Sequence, residues 1–244
     1  GRTYFVADLH LTDERPAATG RFFRFLENEA AGADALYILG DLFEHWAGDD
    51  DLDDPSNAEV CVALQALSAS GVALFFMAGN RDFLCGETFA KAAGLKLLPD
   101  PALIEIAGTA TLLMHGDTLC TDDDAYQAFR AEVRSPEWRQ AFLTLPLDRR
   151  KARIEALRRE SEAQKRVKPT DIMDANPGAV LQPLTFHRCT RLIHGHTHRP
   201  ARHLLDVAGR AAERWVLPDW YEAGGYLACD ATGCRLLSWP PAAA

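Results

Sequence analysis

Five short apolar runs set the rhythm of the chain, and each breaks abruptly into polar, often glycine-containing sequence. Tyr4 to Ala7 leads into Asp8-Leu9-His10, Ala35 to Leu39 into Gly40-Asp41, and Val72 to Ala78 into Gly79-Asn80-Arg81-Asp82. Thr111 to Met114 leads into His115-Gly116-Asp117, and Arg191 to Ile193 into His194-Gly195-His196-Thr197-His198. Run length, β-branched and aromatic content and the glycine breaks predict strands rather than helix segments. Between them, Arg21 to Ala30 carries Phe22, Phe25 and Leu26 at helical spacing, and Ala58 to Ser68 carries Cys61, Val62, Leu64 and Leu67. This alternation predicts a layered α/β domain. Toward the end, Trp215 to Leu217 and Gly225 to Trp239 read as short antiparallel strands, with turns at Ala223-Gly224-Gly225 and Thr232-Gly233.

One stretch departs from the alternation. From Ala125 to Thr170 the pattern is helical, with Tyr126, Phe129 and Val133, then Phe142 and Leu145, punctuated by Pro136 and Pro146. A basic run from Arg149 to Lys168 follows, opposed within itself only by Glu155, Glu160 and Glu162. We expect residues 125–170 to form a helical cap inserted into a single core domain made of residues 1–124 and 171–244. Its apolar side chains suit a lipid chain and its basic run a diphosphate or an anionic membrane surface. The competing reading is a helical hairpin packed on the core with a solvated charged face.

Composition narrows the classes. A chain of 244 residues with 48% hydrophobic content has ample material for a core. Its longest apolar runs are strand-length, far short of a membrane span, and no basic segment followed by an apolar stretch opens it, so no secretory leader is expected. The net charge of −9 argues against a nucleic-acid binder, and no obligate protein partner is evident. The six cysteines form no C-x-x-C pair and are expected to be reduced thiols packed as small hydrophobes.

The chemistry lies at the strand ends. In open α/β sheets, ligand sites gather beyond the carboxyl ends of strands. Here those positions bring Asp8 and His10, Asp41, Asn80, His115, then His196 and His198. In an extended segment, residues two apart point to the same side, so each of the paired sets can face one site. Carboxylate, imidazole and amide oxygen without thiolate suit divalent ions such as Mn²⁺, Fe²⁺ or Zn²⁺. Seven candidates exceed the needs of one ion and suit two that share a carboxylate.

Taken in order, Asp8-x-His10, Gly40-Asp41, Gly79-Asn80-Arg81-Asp82, His115-Gly116 and Gly195-His196-Thr197-His198 resemble the five blocks of the calcineurin-like metallophosphoesterase family. The resemblance implies a β-sandwich flanked by helices in α-β-β-α layers, and a binuclear metal site. By carry-over, Asp8, His10, Asp41 and His198 would hold one ion, and Asp41, Asn80, His115 and His196 the other, with Asp41 bridging. The family's third block commonly has His after Asn, and Arg81 stands there in this chain. An arginine is no proton donor, its pKa lying above about 12, but it grips phosphate bidentately and stabilises transition-state charge. Arg81 is therefore the candidate catalytic residue for a leaving group that needs no proton, as when a diphosphate is split.

The longer blocks Gly40 to Glu44, Gly79 to Phe83, His115 to Asp123 and Ile193 to Pro200 resemble more closely the branch of this family that hydrolyses UDP-2,3-diacylglucosamine in lipid A biosynthesis. That resemblance implies water attack on the α-phosphate, yielding UMP and 2,3-diacylglucosamine 1-phosphate, with two Mn²⁺ ions. It implies a peripheral enzyme on the cytoplasmic face of the inner membrane of a Gram-negative bacterium. It further implies substrate contacts from Asn80, Arg81, Asp123, Tyr126, Ser161, Lys165, Lys168 and His196, with Lys165 at a place where some relatives carry Asn. Two alternatives stay open: a metallophosphoesterase for another nucleotide diphosphate or a phosphodiester, and a non-catalytic binding scaffold.

Overall fold

Strand β1 (Thr3–Val6) divides its side chains between two interiors: Tyr4 and Val6 join one hydrophobic cluster, Phe5 another. That period-two split repeats along the chain and dictates the layering. The computed structural model describes residues 1–165 and 171–240. After β1 come α1 (Pro16–Asn28), β2 (Ala35–Leu39), α2 (Pro55–Ala69), β3 (Ala73–Met77), α3 (Glu87–Ala93) and β4 (Lys96–Leu98). The strands β5 (Ala102–Ile106) and β6 (Thr109–Leu113) precede α4 (Asp124–Val133), α5 (Pro136–Leu143) and α6 (Leu147–Lys165). The chain ends with α7 (Pro177–His187), β7 (Arg191–His194), β8 (Ala201–Val207), β9 (Arg210–Val216), β10 (Gly224–Asp230) and β11 (Gly233–Trp239).

Two sheets result. The first has the order β11-β10-β1-β2-β3-β4 and the second β5-β6-β7-β9-β8. Phe5, Leu39 and Met77 of the first sheet meet Leu113, Ile193 and Trp215 of the second in the central cluster. Outside the first sheet, Tyr4, Leu36 and Phe76 pack on Phe22 and Phe25 of α1, Leu64 of α2 and Phe89 of α3. Outside the second, Leu112 and Leu192 pack on Val180 and Leu184 of α7. The architecture is thus two sheets face to face with helices on both outer faces, the α-β-β-α layering expected from the sequence. Caps set three of the helix starts: Asp54, Ser135 and Asn176 accept from backbone N–H groups, each followed by a proline at the first position.

Three details differ from the sequence reading. Trp215 belongs to a longer strand, β9, which pairs antiparallel with β8 but parallel with β7. The turn at Ala208-Gly209 that makes the β8–β9 hairpin has both residues at positive φ, 53° and 78°. The cysteines are not all free: the β10–β11 register sets Cys229 opposite Cys234, and the two are joined in a disulfide. Cys61, Cys85, Cys120 and Cys189 are free and buried. Lastly, the start of the basic run is turned toward the core, because the partners of Arg150 and Lys151 come from the acidic loop before α2, while Arg149, Arg153 and Arg159 are exposed. Arg150, buried, pairs with Asp50 and donates to the Ala47 carbonyl, and Lys151 reaches Asp51 at 2.6 Å and Asp54 at 3.0 Å. These contacts clasp the start of α6 to the core.

Candidate metal centre and substrate cavity

The loops after β1 and β2 are zipped together: Asp8 N donates to Gly40 O at 3.1 Å, His10 N to Asp41 O at 2.9 Å and Leu11 N to Leu42 O at 2.9 Å. The loop after β3 is locked to the second of these by Asp82. Its fully buried carboxylate accepts from Gly79 N at 2.7 Å, Leu42 N at 2.7 Å, Asp41 N at 3.3 Å and Phe43 N at 3.4 Å. Burial, and after it the charge of Asp41, pushes the Asp82 carboxyl up, while those N–H groups draw it back. Asp82→Ala removes every one of those acceptors at once and is expected to lower the unfolding free energy by about 3 kcal/mol or more. Urea unfolding measures it, and a loss below about 1 kcal/mol contradicts this role.

All seven candidate ligands converge, though not in the expected way. Asp8, His10, Asp41, His196 and His198 have φ values of 54°, 50°, 54°, 67° and 53°, so they sit in the left-handed region and not in extended backbone. Such conformations are uncommon for non-glycine residues and gather at functional sites. Close packing enforces them. Gly40 has φ +91°, and a Cβ there would lie 2.5 Å from His115 Nδ1 and 2.6 Å from Gly79 Cα. A Cβ on Gly195 would collide with the Asp8 carboxylate.

The resulting cluster is dense in donors. His198 Nε2 lies 3.4 Å from Asp8 Oδ1, His10 Nε2 3.7 Å from Asp41 Oδ2, and His115 Nε2 3.8 Å from Asp41 Oδ1. Asn80 Oδ1 lies 3.0 Å from His115 Nε2 and 2.9 Å from His196 Nδ1. Two groups of ligand atoms each fit within 4.8 Å: Asp8, His10 and His198, and Asp8, Asp41 and His115. Asp8 Oδ1 and His10 Nε2 are buried without a hydrogen-bond partner among the described residues. Buried polar atoms left in this way are costly unless something else meets them. Divalent cations fit both the orphaned atoms and the oxygen–nitrogen donor set.

The electrostatics agree. Burial opposes charge on His115, yet Asp41, Asp117 and Asp8 overcome it and raise its pKa to about 9. Burial and then the charge of His115 push neighbouring His196 down to about 4. Burial raises Asp8, but the close approach and charge of His198, with the other imidazoles, hold it below the usual carboxylate range. The carboxylates thus draw positive charge onto His115, and Asp8 raises His198 as well against its burial. His194, in the same motif, is different: burial and Arg214 push it down to about 3, and it accepts from Arg214 Nε at 2.9 Å. It braces the loop.

Beside the cluster opens a cavity of about 530 Å³. His10, Asp41, Asn80, Arg81, His196 and His198 form part of its wall. Phe83, Phe129, Val133, Trp138, Ile154 and Leu157 supply an apolar part, drawn mostly from α4, α5 and α6. Asp123, Tyr126 and Ser161 also line it. Asp123 caps α4 by accepting from Tyr126 N at 3.1 Å, so its position serves structure too. Tyr126 donates to Asp117 at 2.9 Å, and its ring stacks near His196 at 6.0 Å. The backbone of Lys165 ends α6, and Lys168 lies outside the described residues. Arg81 N donates to Asp41 Oδ1 at 2.8 Å, tying the arginine to the cluster.

Three residues at the site escaped the sequence reading. Glu44 sits 3.2 Å from His10 Nδ1, buried at the cavity wall. Asp117, also buried, receives Tyr126 and Arg130 and so fixes α4 against the cluster. Tyr221 stacks on His10 at 5.1 Å. Glu44 follows Gly40-Asp41 and Asp117 follows His115-Gly116 within quoted blocks, which was the available signal; Tyr221 had none.

Residues 1–200 match the family described as calcineurin-like phosphoesterase, and the chain belongs to that family. Within it, the chain is 54% identical over 229 residues to the UDP-2,3-diacylglucosamine hydrolase of Aromatoleum aromaticum, covering 94% of this chain and 93% of the relative. It is 51% identical over 241 residues to the protein of that name from Xanthomonas axonopodis pv. citri, covering 96% and 97%. Among solved structures, an archaeal phosphodiesterase aligns over 98% of this chain and 99% of its own at 10% identity, with a TM-score of 0.49.

Proposed function

We propose that this protein hydrolyses the diphosphate of UDP-2,3-diacylglucosamine in lipid A biosynthesis. The observation that carries the reading is a cavity in which five of the seven candidate metal ligands and Arg81 share walls with the apolar side chains of the α4–α6 insertion. A diphosphate and an acyl chain then have adjoining surfaces of the right polarity. Similarity to hydrolases of that name along nearly the whole chain supports the same substrate.

Asp8, His10, Asp41 and His198 would hold one divalent ion and Asp41, Asn80, His115 and His196 a second, both Mn²⁺ in this proposal. Such ions acidify water and offset charge on phosphoryl oxygens. The chain's own groups do the rest. Arg81, on the cavity wall, receives the diphosphate and bears part of its growing negative charge. Water adds at the α-phosphorus, and the bond to the bridging oxygen breaks. The glucosamine 1-phosphate leaves as a stable anion, which is why arginine serves where a proton donor would otherwise stand. Asp123, Tyr126, Ser161, Lys165 and Lys168 are assigned to the sugar and phosphate of the lipid half. Residues 125–170 act as a cap over the acyl chain, and the protein works on the cytoplasmic face of the inner membrane. Among the described residues no helix is long and apolar enough to cross a membrane.

Hydrolysis in ¹⁸O-water with mass spectrometry of the products tests the reaction. Label is expected in UMP. Label in the lipid product moves the attack to the other phosphorus, and absence of both products removes this substrate.

A further inference from the structure

Glu44 is a buried carboxylate at the centre of an excess of positive charge. Arg15 Nη2 lies 3.0 Å from its Oε2, while Arg81 Nη1 and Arg158 Nε each lie 3.7 Å from its Oε1. His10 is on its other side. The contacts are unequal. The Arg15 contact is a hydrogen bond, and Arg15 also donates to the His10 carbonyl and lies over the Tyr221 ring, 4.6 Å from its centre. The contacts to Arg81 and Arg158 are ion pairs longer than a hydrogen bond, so Glu44 holds both guanidinium groups by charge rather than by a close hydrogen bond. Arg158 also meets Glu14 at 3.3 Å and Glu155 at 3.6 Å, both on more exposed side chains where solvent screens the pairing.

Glu44, Arg81 and Arg158 all line the cavity that holds the candidate metal ligands. Arg81 comes from the loop after β3 and Arg158 from the middle of α6. Two guanidinium groups from separate elements therefore close on one carboxylate beside the candidate metal ligands, a convergence that also suits the oxygens of a phosphate.

We infer that Arg158 is a second phosphate-gripping residue, stationed by Glu44 next to Arg81 to take an oxygen of the incoming diphosphate. The identity of the diphosphate rests on the function proposed above; the anion site does not. When the phosphate arrives it takes the place of Glu44 beside Arg81 and Arg158, and Glu44 keeps Arg15. Because Arg158 belongs to the insertion, the same contact draws α6 toward the cluster when substrate is bound.

The test is titration calorimetry of inorganic phosphate into the Mn²⁺-loaded protein, with affinities referred to bound metal, alongside KM and kcat for UDP-2,3-diacylglucosamine. Arg158→Gln is expected to weaken phosphate binding about tenfold and to raise KM more than it lowers kcat. Arg158→Lys should recover only part of the affinity, since an ammonium lacks the planar fork. Glu44→Gln should bind phosphate at least as tightly as the parent, because it removes a competing negative charge. Parental phosphate affinity in Arg158→Gln would overturn the inference. So would a loss in Glu44→Gln as large as that in Arg158→Gln, which would make Arg158 a mere buttress for Glu44. If the parent fails to cleave the UDP-lipid while Arg158→Gln still loses phosphate, the anion site stands and only the substrate falls.

Discussion

Asp41→Ala is expected to cut hydrolysis by at least about a thousandfold, because it removes the one carboxylate shared by both proposed ions. The same carboxylate accepts from Arg81 N and faces both His10 and His115, so its loss also loosens the arginine. Metal analysis should show a fall in bound Mn²⁺ alongside the fall in rate. Asp41→Asn separates shape from charge: it keeps the volume while removing the negative charge, and should be nearly as inactive. His115→Ala is expected to act in the same direction, its ring being fully buried between Asn80 and the Leu39 carbonyl. The parent stripped by chelator and restored with Mn²⁺ is the reference for both. Substantial turnover in Asp41→Ala and His115→Ala with metal retained would refute the ligand assignment.

The second large effect falls on Arg81. Arg81→Ala should lower kcat by about 10²–10³, the usual cost of removing a donor aimed at transition-state charge. The metal content should hold, since the side chain is not in the ligand set, and this separates it from Asp41→Ala. Arg81→Lys should restore a minor part. Arg81→His is the more informative exchange, because it returns the residue common elsewhere in the family. It should favour esters with poor leaving groups relative to the diphosphate, measured as a ratio of kcat/KM values. An unchanged ratio would remove leaving-group protonation as the reason for arginine at this position.

The convergence of the candidate ligands was readable in the sequence because each directly follows an apolar strand, and strand ends are where an α/β fold converges. The layering was readable for a related reason: alternating runs and helix-spaced runs have different periods. What stayed hidden depends on pairings across long sequence distances. Arg150 and Lys151 looked like part of a solvent-facing basic run, and their acids lie about a hundred residues earlier in the loop before α2. The Cys229–Cys234 bond follows from hairpin register, which spacing alone does not define. Glu44 and Asp117 are single acids with no motif of their own until the fold surrounds them with arginines. Asp8 and His10 do converge on one site, but through left-handed rather than extended backbone, a local strain that residue type does not reveal.

That left-handed backbone bears on any attempt to move this chemistry. A designer grafting Asp-x-His and His-x-His onto ordinary strand ends would copy the letters and lose the aim, because side chains at φ near −120° leave the backbone in other directions. The transferable unit is larger: five strained residues, the glycines that permit their approach, the backbone bonds that zip the first two loops, and the buried Asp82 that staples the second to the third. A library that randomised the seven ligands while keeping that frame would be screening metals and reactions on a finished template. One that kept the ligands and relaxed the frame would be screening for folding.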